Sequence, residues 1–158
     1  MPSGLWLLRG APSFARTRMD GDGFEAGSAV LPVTCEVFCR NCWPVYWRYG
    51  AACVGSAAVG VAVANAVVGD LGSRWESVLS SPSPAVMAWD FLVERASSRR
   101  TASVRRLYGL LERREADALL LRHKLGLSVG EGGRVMGVDG AEFALLSRRA
   151  LHKVAART

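Results

Sequence analysis

Nothing in this sequence announces an enzyme. No carboxylate pair, phosphate-binding glycine loop or activated nucleophile stands out, and the glycine-rich run at residues 130–133 lacks a following Lys-Ser/Thr. Histidine occurs twice, as His123 and His152, and neither has cysteines or carboxylates spaced to complete a triad or a metal site. Cysteine is absent outside a short stretch holding Cys35, Cys39, Cys42 and Cys53. No secretory leader precedes them, because the apolar residues 5–8 are too few and Arg9 ends the run. The chain is therefore expected in the cytoplasm, where thiols stay reduced and a disulfide framework is not expected. Charge is missing from residues 50–69, a length that could cross a bilayer, but Leu, Ile and Phe are missing there as well. Ala and Gly add little to insertion, and Asn65 would need a partner in hydrocarbon. A buried helix of a small bundle is the expectation, with a membrane anchor as the competing reading.

What is present suits a folded chain of one domain or two small ones: 158 residues, half of them hydrophobic and 22% charged. The net charge of +6 is unevenly placed, with residues 1–93 at −1 and residues 94–158 at +7, nearly all of the basic charge being arginine. A basic helical segment attracts polyanions, since each neutralised phosphate releases a condensed counterion.

Residues 1–32 mix Gly, Pro, Ser, Arg and Asp without an apolar period and read as a disordered leader, or as an upstream extension from a misplaced start codon. Cys35, Phe38, Cys39 and Cys42 then fall on one helix face, and Pro44 is expected to perturb that helix or begin the next. A Pro-Ser turn at residues 81–84 offers Ser81 or Ser83 as a cap, and helical character continues to Arg95. Residues 96–104, small, polar and basic, read as a linker between units at 33–95 and 105–154, with 155–158 as a tail.

The C-terminal unit has the sharpest local signals. Leu107, Leu110, Leu111, Ala118, Leu119 and Leu121 form an apolar stripe, with Arg113, Arg114, Glu115 and Asp117 expected on the solvent side. Gly126 is placed to end that helix by taking positive φ. Ser128 followed by Glu131 is a capping-box pattern opening a short helix to about Met136. Gly137 breaks it, Val138 points inward, and Asp139 can cap a last helix through Leu151. Helix, tight glycine turn, helix is the helix-turn-helix arrangement.

The run Leu127-Ser128-x2-Glu131-x5-Gly137-Val138-x4-Phe143-x5-Arg149-Ala150-Leu151, preceded by residues 111–116 (Leu-Glu-Arg-Arg-Glu-Ala), resembles region 4 of sigma-70-type factors. Upstream, Pro44-x-Tyr46-x2-Tyr49-x5-Gly55 with Asn65, Leu71, Trp75 and Trp89 resembles region 2 of the extracytoplasmic-function sigma factors. The two similarities stand in the family's order and together cover residues 36–154. They imply an all-α fold, a region-2-like helical bundle followed by a region-4-like helix-turn-helix. They also imply association with core RNA polymerase and promoter DNA, an anti-sigma factor as a further candidate partner, and no cofactor or metal. On that likeness Arg113, Arg114, Ser128, Arg148 and Arg149 would contact DNA, with Glu142 and Ala144 facing the groove. Val61, Asn65 and Leu71 would meet the polymerase, and Trp75 and Trp89 would lie at the promoter-melting segment.

The chain departs from the family where contacts should be made. Val61 and Ala62 stand where acidic residues are usual in the polymerase-binding helix, and Glu142, Ala144, Leu145 and Leu146 stand where polar or basic ones read bases. Alanine and leucine offer only contact with a thymine methyl, and Glu142 repels phosphate unless it accepts from cytosine. The alternative is a regulatory protein on a degenerate sigma scaffold, using Leu145 and Leu146 to hold a protein partner. Cys35-x3-Cys39-x2-Cys42 has the spacing of a radical-SAM cluster motif, but the chain is too short for that barrel and Asn41 replaces the usual aromatic. Core packing is the expectation for these thiols, with a four-thiolate zinc site as the rarer outcome. Trp43, Tyr46, Trp47 and Tyr49 are candidates either for stacking on unpaired bases or for a bundle core.

Overall fold

The computed structural model describes residues 31–157, which leaves nearly all of the expected leader outside. The all-α expectation holds among these residues, which form eight α-helices and no strand. The first, α1 (Val33–Val54), carries a buried stripe of Cys35, Cys39, Trp43, Tyr46, Gly50 and Cys53 at helical spacing. Pro44 lies inside α1 and neither ends it nor starts a new helix. It stands on the exposed side, where the missing amide falls on the solvated flank. Burial of several aromatic rings, each contributing roughly 1.5–3 kcal/mol, outweighs the cost of one interior proline.

Gly55, at φ 74°, turns the chain, and the Ser56 hydroxyl accepts from the Val59 amide to open α2 (Ala57–Ser73). The charge-free stretch at 50–69 is thus split between two helices. No described helix is long and apolar enough to cross a membrane. The small residues serve a close helix crossing instead. A Cβ on Gly60 would lie 2.4 Å from the Ala51 nitrogen and 2.7 Å from the Trp47 carbonyl oxygen.

After α3 (Trp75–Ser80), Ser83 caps α4 (Pro84–Ser97) through the Val86 amide. Thr101 then caps α5 (Ala102–Leu110), so the segment expected as a linker is two helix ends and a short turn. Ala96 and Val104 are buried within it, and the Thr101 amide donates to the Cys53 carbonyl at 2.9 Å. One hydrophobic core runs through both halves, and the expected separation at 96–104 is not a gap in packing.

The single helix expected after Leu107 is also broken. Leu111 and Glu112 are extended, and α6 (Arg113–Leu119) starts afresh, the Glu115 carboxylate accepting from the Glu112 amide. A π-helical turn, Leu120–Lys124, follows, and Gly126 takes φ 75° as expected. The Ser128–Glu131 capping box opens α7 (Val129–Met136), Gly137 ends it at φ 76°, and the Asp139 carboxylate caps α8 (Gly140–Ala156). The last helix runs past Leu151 into the expected tail.

Candidate nucleic-acid interface

The last two helices meet across a three-residue turn. Phe143 of α8 is completely buried and lies over Gly132 of α7, where a Cβ would come within 2.2 Å of the ring. A Cβ on Gly133 would lie 2.8 Å from the Val138 carbonyl oxygen. These glycines do reduce helix propensity, by about 1 kcal/mol each against alanine, but two of them make room for the helix crossing. Gly130, by contrast, has open space around it.

With Phe143, Ser147, Ala150 and Val154 turned inward, α8 presents Ala141, Glu142, Leu145, Arg148, Arg149 and His152 to solvent. Ala144, expected to face the groove, is half-buried. Among the described residues, Arg114 and Arg148 make no ion pair, so both guanidinium groups are available to an anion. Arg113 is exposed but bonded to Asp90 of α4 at 2.9 Å. Ser128 is exposed, and its hydroxyl caps α7. Arg134, which sequence reasoning missed, is exposed on α7; its helical phase opposite buried Gly133 and Met136 was the available signal.

Two acidic residues expected on the solvent side of this unit are buried. Glu115 is 1% exposed and accepts from Lys153 of α8 at 2.7 Å. Burial pushes its carboxyl up, but the Lys153 bond and charge, the Glu112 amide and Arg149 outweigh burial and hold it below the ordinary range. Asp117 is equally buried, accepting from the indole of Trp89 at 3.0 Å and from the hydroxyl of Tyr108. Burial raises its pKa despite the opposing Tyr108 and Trp89 bonds and the charges of Arg113 and Arg100. His123 reaches Ser147 of α8 at 3.4 Å, and burial followed by the Arg122 charge lowers its pKa.

The first half offers less than expected. Leu71 is fully buried, so it stabilises the core rather than a polymerase contact, while Val61 and Asn65 are half-buried and Ala62 is exposed. Trp75 is covered by Phe38, with ring centres 5.6 Å apart, and donates to Thr34 at 2.9 Å. Trp89 packs on Tyr49 at 4.8 Å. Trp43, Tyr46, Trp47 and Tyr49 are buried too, so none of these rings is presented to an unpaired base.

Cys35 and Cys39 bring their sulfurs to 3.9 Å, and Cys35, Cys39 and Cys53 are buried. Burial pushes Cys42 up to about 11 and Cys53 up to about 12, so both are thiols at neutral pH. Among the described residues no three metal-ligating side chains converge. No protein-family model matches the chain, and neither does any curated protein or solved structure.

Proposed function

We propose that this chain is a DNA-binding transcription protein built on the pattern of a sigma factor. It grips duplex DNA through α7 and α8 and associates with core RNA polymerase through the outer side of α2. The observation that carries the reading is the exposed Arg148–Arg149 pair on a helix set against α7 by a three-residue glycine turn. Arg114 and Arg134 extend the cationic surface. These side chains suit phosphate, which positions a protein without specifying sequence. The residues between them suit little base reading, so binding is tolerant of sequence.

Fluorescence anisotropy with a mixed-sequence duplex across a salt series tests the DNA reading. The binding constant should fall linearly on a log–log plot, by about 0.9 per phosphate neutralised. Salt-independent or absent binding by folded protein ends it. Co-elution with core RNA polymerase tests the other arm, compared with Ala62→Arg, which puts the charge opposite to the family's usual one on an exposed position and should weaken the complex. Leu71→Ala is the wrong probe, because it opens the core. A second reading, a protein-binding regulator, is favoured by one observation: Leu145 is 39% exposed at the centre of the same face. Loss of a partner protein, but not of DNA, on Leu145→Glu would support it.

A further inference from the structure

One buried carboxylate joins what the sequence divides. Asp117 lies in α6, and its Oδ2 accepts from the Trp89 Nε1 of α4 at 3.0 Å. Its Oδ1 accepts from the Tyr108 hydroxyl of α5 and, at 3.4 Å, from the Tyr49 hydroxyl of α1. The two phenols are 2.7 Å from each other, and Arg100 stacks on the Tyr108 ring at 3.6 Å. Elements from both sides of residues 96–104 therefore meet on a group with 1% exposure. Moving the halves apart would take Trp89 and Tyr49 from that carboxylate and leave it only the Tyr108 hydroxyl, in a place water must first reach.

Three further contacts tie the halves at separate points. Arg48 of α1 donates to the Leu125 carbonyl at 2.7 Å, closing the end of the π-helical turn. The Thr101 amide holds the Cys53 carbonyl at the end of α1. The helix-turn-helix turn itself sits on the start of α4, where a Cβ at Gly137 would lie 2.6 Å from Val86 Cγ2 and 3.1 Å from Ser83 Oγ. Ties at several places leave no single hinge.

We infer that the chain engages DNA as one block on one contiguous element, and that its first half does not reach a second element. This rests on the DNA-binding reading above and adds the extent of the DNA partner. A compact body formed by residues 31–157 has a radius of gyration of roughly 14 Å. Its diameter of about 36 Å matches about one turn of duplex, or 10 base pairs.

The test is the occluded site size, measured by stoichiometric anisotropy titration at low salt with mixed-sequence duplexes of three lengths. About one chain per 10–12 base pairs is expected. An occluded length above about 20 base pairs per chain would overturn the inference while leaving DNA binding intact. No binding to any duplex would instead remove the DNA reading on which it rests. Native-state hydrogen exchange then examines the block without DNA. Amides of α1 and of α5–α6 should share one opening reaction with the same denaturant dependence, and Asp117→Ala should split it. Two independent openings in the unmutated chain would overturn the block.

Discussion

The α1–α2 crossing and the α7–α8 crossing both depend on glycine, but the glycines face different obstacles. A Cβ at Gly60 would strike the backbone of Ala51 and Trp47, which cannot move without displacing α1. A Cβ at Gly132 would strike the tip of the Phe143 ring, a side chain with two torsions. Where backbone meets backbone, a methyl group must push two helices apart. Where a ring meets backbone, the ring can swing and the loss is partial. Gly60 should therefore be brittle to small substitutions and Gly132 graded.

The largest expected effect breaks that comparison at its stiffer end. Gly60→Val should destabilise by about 3 kcal/mol or more, the upper range for overpacking, measured by urea unfolding. A cost below about 1 kcal/mol would mean that the helices slide past each other. Next, Gly132→Ala should cost about 1–2 kcal/mol, the strain exceeding the roughly 1 kcal/mol gained in helix propensity. Gly130→Ala, with nothing in its way, sharpens the contrast by stabilising the same helix by up to about 1 kcal/mol. If both substitutions stabilise, Phe143 is not seated over Gly132.

A smaller effect concerns charge within the second half. The depressed Glu115 carboxyl contributes stability that is fully present above its unfolded-state pKa and is lost as pH falls through the lower folded value. Unfolding followed from pH 6 down to pH 2 should show this acid step in the native chain and a flatter limb in Glu115→Gln. Asp117 has the opposite sign. Its raised folded pKa favours the protonated form, so its contribution weakens as pH rises from the unfolded pKa through the folded one. The smallest effect on the fold is Arg148→Ala, expected within about 0.5 kcal/mol of neutral. The same change should reduce the salt slope of DNA binding by about 1.

How much was legible follows from how local each signal is. Ser128, Glu131, Gly126, Gly137 and Asp139 act within a few residues of themselves, and all five take the roles their sequence context implies. The buried carboxylates could not be read the same way. Asp117 looks like a surface residue until Tyr49 and Trp89 arrive from 68 and 28 positions away. Pro44 was misleading because its effect depends on which side of α1 meets water. Residues 50–69 are helical as their composition implies, but they are buried along one side only, and their division at Gly55 depends on the fold of α1 against α2. Trp75, Trp89 and Leu71 are apolar enough for either an interface or a core, and only packing partners decide between them. The arginines of α8, by contrast, needed only the position of Phe143 and Ala150 to be placed on the outer face.

The glycine contact between α1 and α2 has a consequence for how the protein answers its medium. Fit between two uncharged backbones rests on dispersion and on excluded water, neither of which added electrolyte screens. On the DNA-binding proposal, the arginine surface of α8 meets an anion through long-range attraction that electrolyte weakens sharply. Raising ionic strength should thus release a bound polyanion while the melting temperature hardly moves. Recognition and the α1–α2 crossing then respond to separate variables, and the lack of charge at residues 50–69 is what keeps them separate.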